Sequence, residues 1–123
     1  MAKLIEKIEK LSLPAVITRG LIVFPNIDVA FEVNRPKSQK AIEYAAKGDG
    51  LIFVVSQKYI EPEDPKQGDI FKIGTAARVK KSIKLADDNV RIIIEGLARA
   101  EISSFDFSKD YITCDVLKKD VYL

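Results

Sequence analysis

The sequence predicts a mainly β, α+β fold in which about six strands and one principal helix form a closed or nearly closed mixed barrel. Three observations carry this. Residues 74–102 alternate apolar and polar side chains on either side of a short turn, as a long β-hairpin does. LIFVVSQ (51–57) is a nearly continuous apolar run, the pattern of a strand buried on both faces. A single segment, 34–48, carries helix start and stop signals around an apolar stripe.

Along the chain, MAKLIEKIEKL (1–11) spaces Leu4, Ile5, Ile8 and Leu11 as a helix would, with Lys and Glu between them. This predicts a short helical arm over 1–12, serving either self-association or partner binding, or simply fraying as a terminus. Leu13–Ile17 and Val29–Val33 read as strands. Between them runs TRGLIVFPNID, in which Gly20 and Pro25 break the pattern while Leu21, Ile22, Val23 and Phe24 keep it apolar. A loop of this composition either folds back as core or presents an apolar patch.

Asn34 and Pro36 open the helix: the first can cap, and the second lacks an N–H that the first turn would leave unpaired anyway. Ala41, Ile42, Ala45 and Ala46 form its inner stripe, and Gly48 stands where a left-handed C-terminal cap is expected. After the strand 51–57, KYIEPEDPKQGD is a proline- and acid-rich connector. YITCDVLKK (111–119) supplies the last strand, with Cys114 as a small packed residue.

In the hairpin, a turn over ADDN (86–89) sets Ile83 opposite Ile92, Val79 opposite Gly96, Ala77 opposite Ala98 and Thr75 opposite Ala100. Lys80 then faces Glu95 as an opposite-charge pair. The inward side chains shrink from Ile and Val to Gly and Ala, so Gly96 reads as the bend at which the sheet closes. Gly74, Gly96, Lys80 and Glu95 are therefore structural residues, and Arg99 pairs across strands.

Several chemistries are excluded by composition. The 123 residues fit one domain with a net charge of +2. There is no histidine and one cysteine, so neither a His-based triad nor a thiolate metal site can form. The six glycines make no phosphate-binding loop. Glu63 with Asp64, and Asp87 with Asp88, lie in solvated turns where no useful pKa shift is expected. No catalytic, cofactor-binding or metal-binding residue is assigned. No apolar run reaches the roughly 18 residues of a membrane span, and no signal peptide is visible, which together with the lone cysteine suggests a cytoplasmic chain.

The ordered set LPAVITRGLIVFPNIDVAFEV, RPKSQKAIEYAA, LIFVVSQK, FKIGTAARVKKSIKL and VRIIIEGLARAEI resembles the amino-terminal domain of the ATP-dependent Lon protease family. IGTAARV followed by EGLARAEI is its most specific part. The resemblance implies a PUA-like pseudo-barrel over 13–119, with 120–123 beginning a linker. It also implies a parent enzyme whose ATPase module (with ATP and Mg) and Ser–Lys protease dyad lie outside this segment. The role implied is to engage unfolded or damaged protein substrates and to help arrange a hexamer; the segment alone could form a weak dimer, and its sequence leaves that open.

For that role, the candidate substrate contacts are Leu21, Ile22, Phe24, Pro25 and Ile27, with Tyr59 and Ile60 as a second rim. A rival reading is a stand-alone PUA-like module for RNA or another protein, using Arg78, Lys80, Lys84 and Arg91 on one hairpin face. Glu95 and Glu101 interrupt that face and no aromatic is interleaved for base stacking, so a solvated sheet face is the plainer reading.

Overall fold

The structure, a computed structural model, describes residues 5–59 and 65–122. Its elements in chain order are β1 (Ile5–Thr18), β2 (Asp28–Val33), α1 (Pro36–Ala46), β3 (Leu51–Ser56), β4 (Ile73–Lys84), β5 (Val90–Asp106) and β6 (Thr113–Tyr122), with a 3-10 turn at Gln67–Asp69. The strand order is β2-β5-β4-β3-β1-β6, and β5 also pairs with β6. Five strands thus close into a ring, β5-β4-β3-β1-β6, while β2 lies alongside β5 outside it. The expected α+β pseudo-barrel is the fold observed.

β3 shows why its sequence is apolar throughout. Phe53 and Val55 enter the barrel interior with Leu13, Ala15, Ile17, Ile70, Ala76, Ala100, Ile112, Cys114 and Val116. Ile52 and Val54 point the other way, into a second core with Val16, Val23, Val33, Ile92, Ile94 and the helix residues Ala41, Ile42 and Ala45. One strand wall therefore serves two cores, and no position from Ile52 to Val55 is left for a polar side chain. Burial pushes the Cys114 thiol up to about 12, with the neighbouring Asp115 charge as a smaller cause, so it is a packed residue and not a nucleophile.

The expected helical arm is a correction. Residues 5–11 belong to β1, which pairs antiparallel with β6 from Ile5↔Tyr122 through Leu11↔Val116 to Pro14↔Thr113. The isolated segment has helical spacing, but a distant strand satisfies its backbone, and that ladder outweighs local propensity. The same ladder takes in Asp120 to Tyr122, which were expected to begin a linker. Residues 1–4 of the arm lie outside the described residues.

α1 also differs in detail. Its first-turn cap position is Arg35, which makes no side-chain cap, and Ser38 is buried where Ala46 was expected. Gly50, not Gly48, takes the left-handed conformation, with φ +78°. Its N–H donates to the Ala45 carbonyl at 2.9 Å, closing the helix end one residue pair later than the sequence suggested.

The hairpin register is the other correction. Leu85 N–H donates to Asn89 O at 2.8 Å, and Asp88 is left-handed with φ 60°. The loop is therefore the three residues 86–88, a tighter connection whose last residue an Asp tolerates. Ser82 then faces Ile92, and Ile83 faces Arg91. Register shifts occur between Val79 and Lys81, where Lys80 bulges out, and between Ala76 and Ala77, where β5 skips Leu97. Val79 consequently faces Ile94, Ala77 faces Gly96, Ala76 faces Ala98 and Thr75 faces Arg99. The pairing of Val79 with Gly96 does not occur, and Gly96 has a different reason to be glycine.

Candidate functional site: an apolar cleft beside a clamped loop

Gly96 is glycine because another backbone lies on it. A Cβ there would sit 2.2 Å from the Phe24 carbonyl oxygen. Just before the start of β2, Asn26 N–H donates to Gly96 O at 2.8 Å, and Gly96 N–H donates to Ile27 O at 3.0 Å. The apolar loop 19–27 is thereby sewn onto β5 at the point where β5 has left β2 and not yet met β6. Close backbone approach, not a bend, is the constraint.

The loop is fixed along its whole length. Thr18 Oγ1 donates to Leu21 O at 2.9 Å, and Gly20 N–H donates to Ser56 Oγ at 2.8 Å. The buried Thr75 hydroxyl donates to Val23 O at 2.6 Å and accepts from Arg99 Nη1 at 3.3 Å. Val23 is the residue that turns inward, into the second core. With Val23 buried and the backbone tied on both sides, Ile22 and Phe24 are driven outward by strand-like alternation.

Opposite this loop, the chain entering β4 presents a second apolar rim. Phe71 N–H donates to Ser56 O at 3.0 Å, Ile102 N–H donates to Lys72 O at 2.8 Å, and Gly74 packs so close to β3 that a Cβ would fall 2.5 Å from Val54 O. Between the two rims lies a cleft of about 620 Å³, lined by Leu21, Ile22, Val23 and Phe24 on one side and Phe71 to Thr75 on the other, with Lys58 and Arg99 at its edges. Ile22, Phe24, Phe71 and Ile73 are 57, 52, 50 and 60% exposed, an unusual concentration of large apolar side chains in water. The Arg99 guanidinium stands 5.2 Å above the Phe24 ring, holding it in place.

Of the expected contacts, Leu21, Ile22 and Phe24 line this cleft, Leu21 half-buried against the second core. Pro25 is half-buried and Ile27 exposed, and neither lines it. Tyr59 is 68% exposed next to Lys58. Ile60 lies outside the described residues. Phe71, Ile73 and Arg99 went unrecognised in the sequence. FKIG carried a signal: apolar residues two apart continue the inner face of β4 backwards, past the point where β3 can cover it.

A larger cavity of about 740 Å³ lies beside the first turn of α1, among Ile17, Arg19, Arg35, Lys37, Lys66 and Phe107. Its Arg35 bonds Ile17 O at 3.3 Å and Gln57 Oε1 at 2.5 Å, tying β1 to the end of β3. It lacks the flanking exposed aromatics of the cleft. The basic hairpin stripe is broken: Lys80 Nζ lies 2.9 Å from Asp28 and 3.9 Å from Glu95, and Arg91 stands beside Glu32 in register. The hydrogen bond to Asp28 and its charge hold the Lys80 ammonium above its ordinary pKa.

Residues 12–121 match the family described as the ATP-dependent protease La (LON) substrate-binding domain. The chain belongs to this family. It is 36% identical over 107 residues to Lon protease 1 of Bacillus subtilis (strain 168), covering 87% of this chain and 14% of that protein. It is 38% identical over 105 residues to the Lon protease of Desulforamulus reducens (strain ATCC BAA-1160 / DSM 100696 / MI-1), covering 85% and 13%. This Lon domain thus spans about a seventh of those relatives' lengths. Among solved structures, the N-terminal domain of Mycobacterium avium complex Lon protease shares the fold, with a TM-score of 0.67 at 18% identity over 86% of this chain and 53% of that one. The Lon N-terminal domain protein from Xanthomonas campestris aligns with a TM-score of 0.61 at 13% identity, over 91% and 59%. Among the described residues no helix is long and apolar enough to cross a membrane.

Proposed function

We propose that this Lon substrate-binding domain captures exposed apolar segments of unfolded or damaged proteins in the cleft between residues 21–24 and 71–75, and itself performs no chemistry. The observation that carries this is the set Ile22, Phe24, Phe71 and Ile73, half-exposed at the lips of one cleft yet borne on hydrogen-bonded backbone. Apolar side chains of an unfolded chain lose water on entering such a cleft, and the ordered lips have little conformational entropy left to lose. In the proposed parent, a cytoplasmic Lon protease, the ATP- and Mg-dependent motor and the Ser–Lys dyad act downstream.

A single-domain affinity of roughly 0.1–1 mM suffices if parent chains assemble as hexamers, because linked copies raise the effective concentration to about the millimolar range. Weak binding also lets the substrate be handed on. The test is a two-dimensional NMR titration of the chain with a permanently unfolded model protein, at low and at high salt. Shifts at 21–24 and 71–75 that survive high salt support apolar capture. An absence of shifts at millimolar ligand overturns it, as do shifts confined to Arg78, Lys84 and Arg91.

A further inference from the structure

Among the described residues, every charged side chain that lines the cleft is a cation: Lys58, Lys72 and Arg99. The chain as a whole carries only +2, with 20 basic and 18 acidic residues, so this is a local asymmetry and not a generally basic surface. Three cations elsewhere are answered by carboxylates: Lys80 by Asp28 and Glu95, Lys40 by Asp110, and Lys118 by Glu9. Among the described residues, no such ion pair involves Lys58, Lys72 or Arg99.

Among the described residues, the acidic groups Asp69 and Glu101 flank the lining segments without lining the cleft. Asp69 accepts a hydrogen bond from the Lys66 N–H at 3.0 Å. Glu101 follows Arg99 on the same strand face, opposite Ile73, and is not among the lining residues. Arg99 is also positioned: its Nη1 donates to Thr75 Oγ1, and its plane lies over Phe24, so its charge is held beside the apolar lip.

Resting on the reading that the cleft takes apolar segments, we infer that it prefers those flanked by acidic residues and discriminates against those flanked by Lys or Arg. The apolar side chains fill the cleft, while flanking carboxylates stay at its rim, in water, near three cations. Rim charges of this kind are attracted without full desolvation, so they tune selectivity and encounter more than they tighten binding. Exposed pairs are individually weak, and the expected difference between acidic- and lysine-flanked ligands is about 3- to 10-fold at low salt. Screening removes it at high salt, while the apolar contribution persists.

The test uses three peptides with one common core of Leu and Phe, flanked on both sides by Asp, Ser or Lys, titrated by fluorescence anisotropy into this chain. Affinity falling in the order Asp, Ser, Lys at low salt and converging at high salt is the expected result. Arg99→Gln and Lys72→Gln each narrow the spread, whereas Lys84→Gln with Arg91→Gln, on the distant hairpin, leaves it unchanged. Equal binding of the three peptides, or an equal narrowing by the hairpin variants, overturns the charge preference and leaves apolar capture standing. No binding by any of them, with the Ile22 and Phe24 amides unmoved in NMR, overturns both.

Discussion

The barrel interior and the cleft contain the same kinds of side chain in opposite circumstances. In the interior, Phe53 is wholly buried and Val116 equally so, and neighbouring strands share their apolar faces. At the cleft, Phe24 and Phe71 stand half in water. Yet the backbone beneath them is no less satisfied, since Leu21, Val23, Asn26, Ile27 and Phe71 all engage strands or buried hydroxyls. Exposure here is therefore a property of side-chain direction and not of loose chain. A loop with Val23 as its anchor can hold its other apolar residues outward at little further entropic cost.

The comparison can be broken at three points, from the largest expected effect to the smallest. Phe53→Ala removes the largest side chain of the interior and should lower stability by about 3–5 kcal/mol in urea denaturation. The protein that remains folded should still bind apolar peptide normally. A loss below about 1 kcal/mol would mean the ring encloses no single packed core.

Gly96→Ala sharpens the distinction, because its methyl group meets the Phe24 carbonyl at 2.2 Å and cannot be absorbed by a rotamer change. The cost should be about 1–3 kcal/mol. Amide exchange at Asn26 should accelerate and peptide binding weaken, because the loop must lift from β5. Unchanged exchange would show that the strand yields instead of the loop.

Smallest in stability is the double change Ile22→Ser with Phe71→Ser, expected within about 1 kcal/mol of the parent chain because both residues are half-exposed. Its effect should appear in binding, as a several-fold weaker affinity for an unfolded protein. Destabilisation on the scale of Phe53→Ala would reclassify the cleft as core.

Much of this was legible locally. The apolar run of β3, the proline-opened helix and the hairpin composition each state their element, because strand and helix periods are properties of a few neighbouring residues. The apolar loop was visible as an anomaly, and Leu21, Ile22 and Phe24 were its informative members. The hairpin register was less legible, since one residue of turn length and the bulge at Lys80 move every partner, and neither leaves a strong mark in the sequence.

By itself, then, the amino-acid order determined the α+β class, the strand count, the helix and the presence of an unaccounted apolar stretch at 21–24. Tertiary structure alone decided that residues 5–11 extend β1, since their partner strand lies more than a hundred residues away. It alone brought Phe71, Ile73 and Arg99 to the same cleft as Ile22 and Phe24. It also decided what Gly96 is for, because close approach of a second backbone is a relation between segments 70 residues apart (Gly96 and Asn26). Local periodicity records which face of an element is apolar; only ring closure of the five strands determines which of those faces finds a cover and which stays open to a ligand.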